Sequence, residues 1–147
     1  MTKDSYRALV VDDDPAVRNL TIHALANEGF VCDAAADGLH AKEILTSASY
    51  DVVVTDLRMP GRNGHALAVD LLKVNERPAI VILTGVFEPG LARDLVLRGV
   101  DCVEFKPVRY DLFAAKVKAM ADRRKKGLES RRFRGFLGAS LRRCSLN

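Results

Sequence analysis

Val52-Val53-Val54-Thr55-Asp56-Leu57-Arg58-Met59-Pro60-Gly61-Arg62-Asn63-Gly64 is the stretch whose reading decides the fold. Three consecutive β-branched residues suit a strand buried on both faces of a parallel sheet. The run delivers one carboxylate, Asp56, to the strand's carboxyl end. Pro60, Gly61 and Gly64 then force the chain to turn. Open α/β sheets place their chemistry at such strand ends.

Working outward, the same grammar repeats. Ala8-Leu9-Val10-Val11 is a short apolar run that stops at Asp12-Asp13-Asp14-Pro15. Its length favours a strand. Pro15 suits the first turn of a helix with Asp14 as N-cap, and Gly29 stops that helix. Residues 30–36 read as a second strand, with a helix after Asp37-Gly38 that ends near Ser47. A third helix, with Leu67 and Leu71 on its apolar face, follows strand 52–55. Residues 78–83 form a fourth strand ending at Thr84-Gly85, and a helix from Pro89 to Arg98 precedes Gly99. Residues 100–105 give a fifth strand, more polar than the others and so at an edge, which runs into Lys106-Pro107. Residues 111–121 form the last helix. Five alternations of strand and helix imply a doubly wound parallel sheet with right-handed crossovers. There is no G-x-G-x-x-G after the first strand and no Walker-type G-x-x-x-x-G-K, which disfavours a dinucleotide or P-loop site.

Composition narrows the class. At 147 residues the chain holds one ordinary domain. Hydrophobic residues make up 48% and charged residues 29%, as in globular proteins. No apolar run approaches the roughly 20 residues of a membrane helix, and the polar N-terminus has no signal-peptide core. A cytoplasmic location is therefore expected. Cys32, Cys102 and Cys144 are odd in number and lack metal-site spacing, so they read as idle thiols. The net charge of +4 is unevenly distributed. Residues 1–121 carry 14 basic and 17 acidic side chains, a net −3, whereas residues 122–147 carry 9 and 2, a net +7. An acidic domain over 1–121 with a basic tail over 122–147 is the expected organisation.

In a parallel sheet the carboxyl ends of strands one, three, four and five open on one edge. Here they bear Asp12 and Asp13, Asp56, Thr84, and Lys106. Crowded carboxylates repel one another unless a cation neutralises them. A hard, oxygen-seeking divalent ion, Mg²⁺ above all, answers that need. A lone ammonium and a hydroxyl beside it provide for a further anion, and phosphate fits. Asp can accept a phosphoryl group covalently. Taken singly, each residue has a plainer role: an acidic run caps a helix, and Lys106-Pro107 is a surface lysine before a turn.

With VVDDDP at 10–15, TDLRMPGRNG at 55–64, LTG at 83–85 and FKP at 105–107, residues 7–121 resemble a receiver domain of the two-component response regulators, the single-domain chemotaxis-type regulators included. The resemblance implies a flavodoxin-like (βα)5 fold with strand order 2-1-3-4-5. It implies that Asp56 is the phospho-acceptor and that Thr84 and Lys106 contact the phosphoryl group. Asp13, Asp56 and the carbonyl of Arg58 would ligate Mg²⁺, with Asp12 acting through water. The phosphodonor would be a sensor histidine kinase or a histidine phosphotransfer protein. The chain would be a signalling protein, monomeric or weakly dimeric, that catalyses only its own phosphorylation and dephosphorylation while acting on a downstream protein. Two positions depart from the family pattern. Val103 stands where a Tyr or Phe usually reads out the state of the site, and Phe105, on the same strand face, adjoins Lys106. Gly85 stands where Ala is common. Arg58 and Val86 flank the entrance.

His23, His40 and His65 lie on expected helices without ligand-type neighbours and read as surface imidazoles. In the tail, Phe133, Phe136, Leu137, Leu141 and Cys144 recur at helical spacing among arginines. Gly135 and Gly138 each cost about 1 kcal/mol in a helix, so a helix there would be marginal alone. The tail thus reads as a solvated extension of the last helix, as a partner-docking helix, or as a basic surface for nucleic acid or anionic membrane. No DNA-reading motif accompanies it.

Overall fold

The computed structural model describes residues 5–59, 63–85 and 88–144, with side chains to residue 135. Pro60, Gly61, Val86 and the side chains of Phe136, Leu137, Leu141 and Cys144, all singled out in the sequence, fall outside the described set. In chain order the elements are β1 (Arg7–Val11), α1 (Pro15–Asn27), β2 (Val31–Ala35), α2 (Gly38–Ser47), β3 (Val52–Thr55), α3 (Gly64–Leu72), β4 (Ala79–Thr84), α4 (Pro89–Arg98), β5 (Cys102–Phe105) and α5 (Tyr110–Cys144). The five strands form one parallel sheet in the order β2-β1-β3-β4-β5. This is the expected flavodoxin-like fold, with β5 at an edge.

Strand alternation divides the core into two layers. Ala8, Val10, Val52, Val54, Ala79, Val81 and Leu83 face α1 and α5, where Leu25, Phe113, Val117 and Met120 close over them. Leu9, Val11, Val53, Ile80 and Ile82 face α2, α3 and α4, against Ala41, Leu67, Leu71 and Leu95. The inner strands can read as unbroken apolar runs because both of their faces are covered.

Local signals set the helix ends. Asp14 accepts from the Ala16 and Val17 amides and caps α1, Asp37 accepts from His40, and Asn63 accepts from Ala66. Gly99, at φ 106°, gives α4 its left-handed stop.

The last helix continues beyond the apolar stripe of residues 111–121. It runs through to Cys144, as the reading of the tail as an extension of that helix has it. At 35 residues it is about 50 Å long. Contacts at the amino edge of the sheet carry it past Ala121. The Tyr6 hydroxyl donates to Asp122, Lys125 lies over the Tyr6 ring, Arg124 Nε donates to the Arg77 carbonyl at 2.9 Å, and Arg132 pairs with Glu76 at 2.9 Å. Tertiary contacts of this kind override the weak local propensity of a glycine-containing segment.

The core makes a direct stability test. Ile80 is fully buried in β4, so Ile80→Ala should cost about 2–5 kcal/mol. Leu97, 76% exposed on α4, should change stability by less than about 0.5 kcal/mol when replaced by Ala. Urea unfolding of both variants, followed by circular dichroism, measures the contrast.

Candidate functional site

The candidate site begins where the sheet register ends. Val11 pairs with Thr55, Thr55 with Ile82, and Thr84 with Phe105, so these strands finish almost level. The ladder then extends by one more residue. The Asp12 amide donates to Ala35 O at 3.1 Å, the Asp56 amide to Val11 O at 3.1 Å, and the Lys106 amide to Thr84 O at 2.8 Å. Backbone hydrogen bonds of the sheet therefore fix the residues that carry the charges.

Their side chains converge. Lys106 Nζ bridges two carboxylates, at 2.9 Å from Asp12 Oδ2 and 3.0 Å from Asp56 Oδ2. The Thr84 hydroxyl donates to Asp56 Oδ1 at 2.8 Å, and the Arg58 amide approaches the same oxygen at 3.4 Å. Asp12, Asp56 and Thr84 are all buried. Burial alone would lower the Lys106 ammonium, but hydrogen bonds to Asp12 and Asp56, and their charges, outweigh it and hold the group above its ordinary value. Asp13, exposed beside them, makes no ion pair or hydrogen bond through its side chain among the described residues. One carboxylate oxygen each from Asp12, Asp13 and Asp56 can be chosen within 4.8 Å of one another.

The structure thus gathers Asp12, Asp13, Asp56, Thr84 and Lys106 into one place and sets Arg58 at its rim. One ammonium against three carboxylates leaves the cluster net negative. An all-oxygen donor set of that charge suits a hard divalent cation.

Several neighbours were not legible in the sequence. Arg18, one turn into α1, donates to the Asp12 carbonyl at 2.8 Å and anchors the acidic turn. The Arg58 guanidinium pairs with Glu88, the residue before α4, and so ties the loop after β3 to the loop after β4. His65 Nε2 and Arg98 Nε each lie 2.9 Å from Asp94 Oδ2, which links α3 to α4. The bond to His65 is the main reason the Asp94 carboxyl lies below its ordinary value. The Arg58–Glu88 and His65–Asp94 pairings join residues whose elements meet only in the fold.

Gly64 is the tightest point of the site. A Cβ built there would lie 1.6 Å from the Asp56 carbonyl oxygen and 2.7 Å from its carbon. The start of α3 packs directly onto the backbone that presents Asp56, and the Gly64 amide donates to Leu57 O at 3.0 Å. At Gly85 the case is opposite, since a Cβ would meet only Lys106 Cδ at 3.8 Å, an ordinary contact. Val103, where the expected readout aromatic is missing, is half-buried and packs into the layer that holds Leu95 and Val100, while Phe105 is 37% exposed at the sheet edge. Burial pushes the Cys32 thiol up to about 11 and raises Cys102 as well, so neither is a ready nucleophile.

A model of the response regulator receiver domain matches residues 8–118. The chain belongs to that family. The transcriptional regulatory protein TcrA of Mycobacterium tuberculosis is 32% identical over 120 residues, covering 80% of this chain and 46% of that protein. The sensor histidine kinase RcsC of Salmonella typhimurium is 29% identical over 128 residues, 85% of this chain and 13% of the kinase. The chain therefore spans less than half the length of these curated relatives. Among solved structures, a CheY-like receiver domain protein from Methanospirillum hungatei superposes with a TM-score of 0.79 at 23% identity, over 84% of this chain and 99% of that one. A receiver domain protein from Clostridium thermocellum gives 0.76 at 27% identity, over 84% and 98%. Receiver domains belong to two-component signalling, and the acidic cluster here is compatible with Mg²⁺.

The two glycines make a paired test of this geometry. Gly64→Ala should destabilise the receiver domain by about 1–3 kcal/mol, because the added methyl cannot fit without displacing the Asp56 backbone. Gly85→Ala should leave stability unchanged or raise it by about 0.4–1 kcal/mol, through lost freedom in the unfolded chain. Urea midpoints of the two variants decide between these directions.

Proposed function

We propose that this receiver domain accepts a phosphoryl group on Asp56 from the phosphohistidine of a sensor histidine kinase or a histidine phosphotransfer protein, with Mg²⁺, and that the event switches a protein-interaction surface or passes phosphate along a relay. The observation that carries this reading is the Lys106 bridge between Asp12 and Asp56, with Thr84 on the other Asp56 oxygen.

Asp13, Asp56 and the Arg58 carbonyl would hold the metal directly, and Asp12 through water. Bound there, Mg²⁺ would neutralise negative charge on the phosphoryl oxygens as it transfers. An oxygen of Asp56 attacks phosphorus in line, the N–P bond of the donor breaks, and its electron pair leaves with the imidazole nitrogen. Lys106 then turns its ammonium from the free carboxylate to the new phosphoryl group, and the Thr84 hydroxyl can follow the same oxygens. Hydrolysis reverses the modification when water attacks phosphorus and the Asp56 carboxylate leaves.

Phosphorylation replaces the single charge of the Asp56 carboxylate with a phosphoryl group of roughly −1.5 to −2, beside a cluster whose cations are already engaged. Arg58 lies two residues from Asp56 and is held by Glu88 at the start of α4. The new charge competes for that guanidinium, which gives the loop before α4 a way to register the change without a ring at position 103. Val96 and Leu97 on α4, Phe105 on β5 and Leu112 on α5 are exposed apolar side chains on the elements beside it. That face is the output surface of this reading. An output by nucleic-acid or anionic-membrane binding through residues 122–147 is not favoured, because the family match supports the receiver domain over residues 8–118 and its phospho-accepting role.

Incubation with Mg²⁺ and acetyl phosphate, followed by intact mass, tests the proposal. One phosphoryl group should be gained, and the gain should vanish in Asp56→Asn and on chelation of the metal. Lys106→Ala should retain Mg²⁺ binding but lose at least about tenfold in phosphorylation rate, as expected for loss of one electrostatic contact to the transferring group. An undiminished gain in Asp56→Asn would move the acceptor elsewhere and sink the reading.

A further inference from the structure

At the amino edge of the sheet, opposite Asp56, the part of α5 beyond Ala121 builds a second polar site. A cleft of about 360 Å³ opens between α5 and the start of β5. Three guanidinium groups line it, Arg123, Arg124 and Arg131, over the apolar side chains of Met120 and Leu128. Gly127 lies between them and removes a side chain that would otherwise fill the space.

The charges of this cleft are not neutralised from within. Asp101 is the carboxylate on its wall, but Asp101 Oδ2 is already engaged by Arg77 Nη1 at 2.9 Å and by the Ile80 amide at 2.8 Å. Arg124 Nε is held by the Arg77 carbonyl at 2.9 Å, which fixes the direction of its guanidinium. Among the described residues, neither Arg123 nor Arg131 pairs with a carboxylate. Arg124 is half-buried, and burial first, then the charge of Arg77, lower its pKa, with Asp101 partly offsetting them and Arg131 adding to them. Arg123 and Arg131 are exposed beside the half-buried Arg124, and an anion held among the three would offset their mutual repulsion. Elsewhere on α5, Lys116 pairs with Glu104 and Arg132 with Glu76.

We propose that this cleft binds a phosphate group, free or as the monoester of a small molecule, through Arg123, Arg124 and Arg131. Guanidinium forks match phosphate oxygens two at a time. The Met120 and Leu128 side chains offer an apolar seat for the body of an ester. The cleft is sized for a small ligand and has a carboxylate on one wall, which disfavours the run of a polymeric phosphodiester. The site does not depend on the phosphorylation chemistry at Asp56.

The full chain, without Mg²⁺, should be titrated with inorganic phosphate, AMP and adenosine, with backbone amide NMR shifts of Gly127 and Leu128 as the local readout. Phosphate and AMP should shift these amides saturably, and AMP should bind more tightly. Arg131→Gln and Arg124→Gln should each weaken binding about tenfold, the loss of roughly 1.4 kcal/mol of a charge-assisted contact. Lys42→Gln, on α2, should bind as the parent does. Arg131 makes no contact that folding requires, so its variant remains informative even if Arg124→Gln loosens α5. The proposal is overturned if phosphate and AMP leave the two amides unmoved, or if affinity is unchanged in both arginine variants. It is also overturned if adenosine binds as well as AMP, or if single-stranded DNA shifts the same amides while phosphate and AMP do not.

Discussion

The Lys106 ammonium lies between Asp12 and Asp56, and the candidate site depends on that one bridge. Buried carboxylates at the ends of two neighbouring strands would repel each other, and the repulsion would act on the strands that carry them. A single cation delivered from β5 offsets it, with burial and pairing acting in opposite directions on the same group. The bridge also spans the sheet, because β1 and β3 are neighbours while β5, which carries Lys106, is separated from β3 by β4. Thr84, from β4, completes the span by bonding to Asp56. One polar cluster thus draws a residue from each of the four strands whose ends open there.

The rest of the fold serves to hold those strand ends level. The apolar layers on both faces fix the register, and backbone hydrogen bonds continue the ladder through Asp12, Asp56 and Lys106. Gly64 lets α3 begin directly on the Asp56 backbone. The Asp56 carboxylate is therefore held by rigid elements rather than by a free loop, which is what a site needs if small changes in charge are to be felt at a distance. The ion pair of Arg58 with Glu88 and the link from His65 to Asp94 connect that site to α4.

The opposite edge follows a different logic. There α5 leaves the sheet and continues as a basic helix, latched by Tyr6, Arg77 and Glu76. The first edge is acidic and gathers side chains from four strands. The second is basic, and one helix supplies three of its cations. A chain of modest net charge can carry both because the sheet keeps them apart.

Much of this was already decided by the sequence. Alternating apolar runs and turn residues specified five strands and five helices, since both signals are local and periodic. Asp12, Asp13, Asp56, Thr84 and Lys106 could be named because parallel strands must end on one edge, whatever the details of packing. What remained undetermined depended on contacts between elements far apart in the chain. The apolar stripe of α5 ends near Ala121, so the sequence offered its continuation through the tail as one reading among several, and contacts with Tyr6, Arg77 and Glu76 carry it further. The partners of Arg18, Arg58 and His65, and the empty space that Gly64 must keep beside Asp56, are likewise properties of the folded chain. Local physics selects the elements and the chemistry they bear, while tertiary packing selects which charges meet and where the last helix ends.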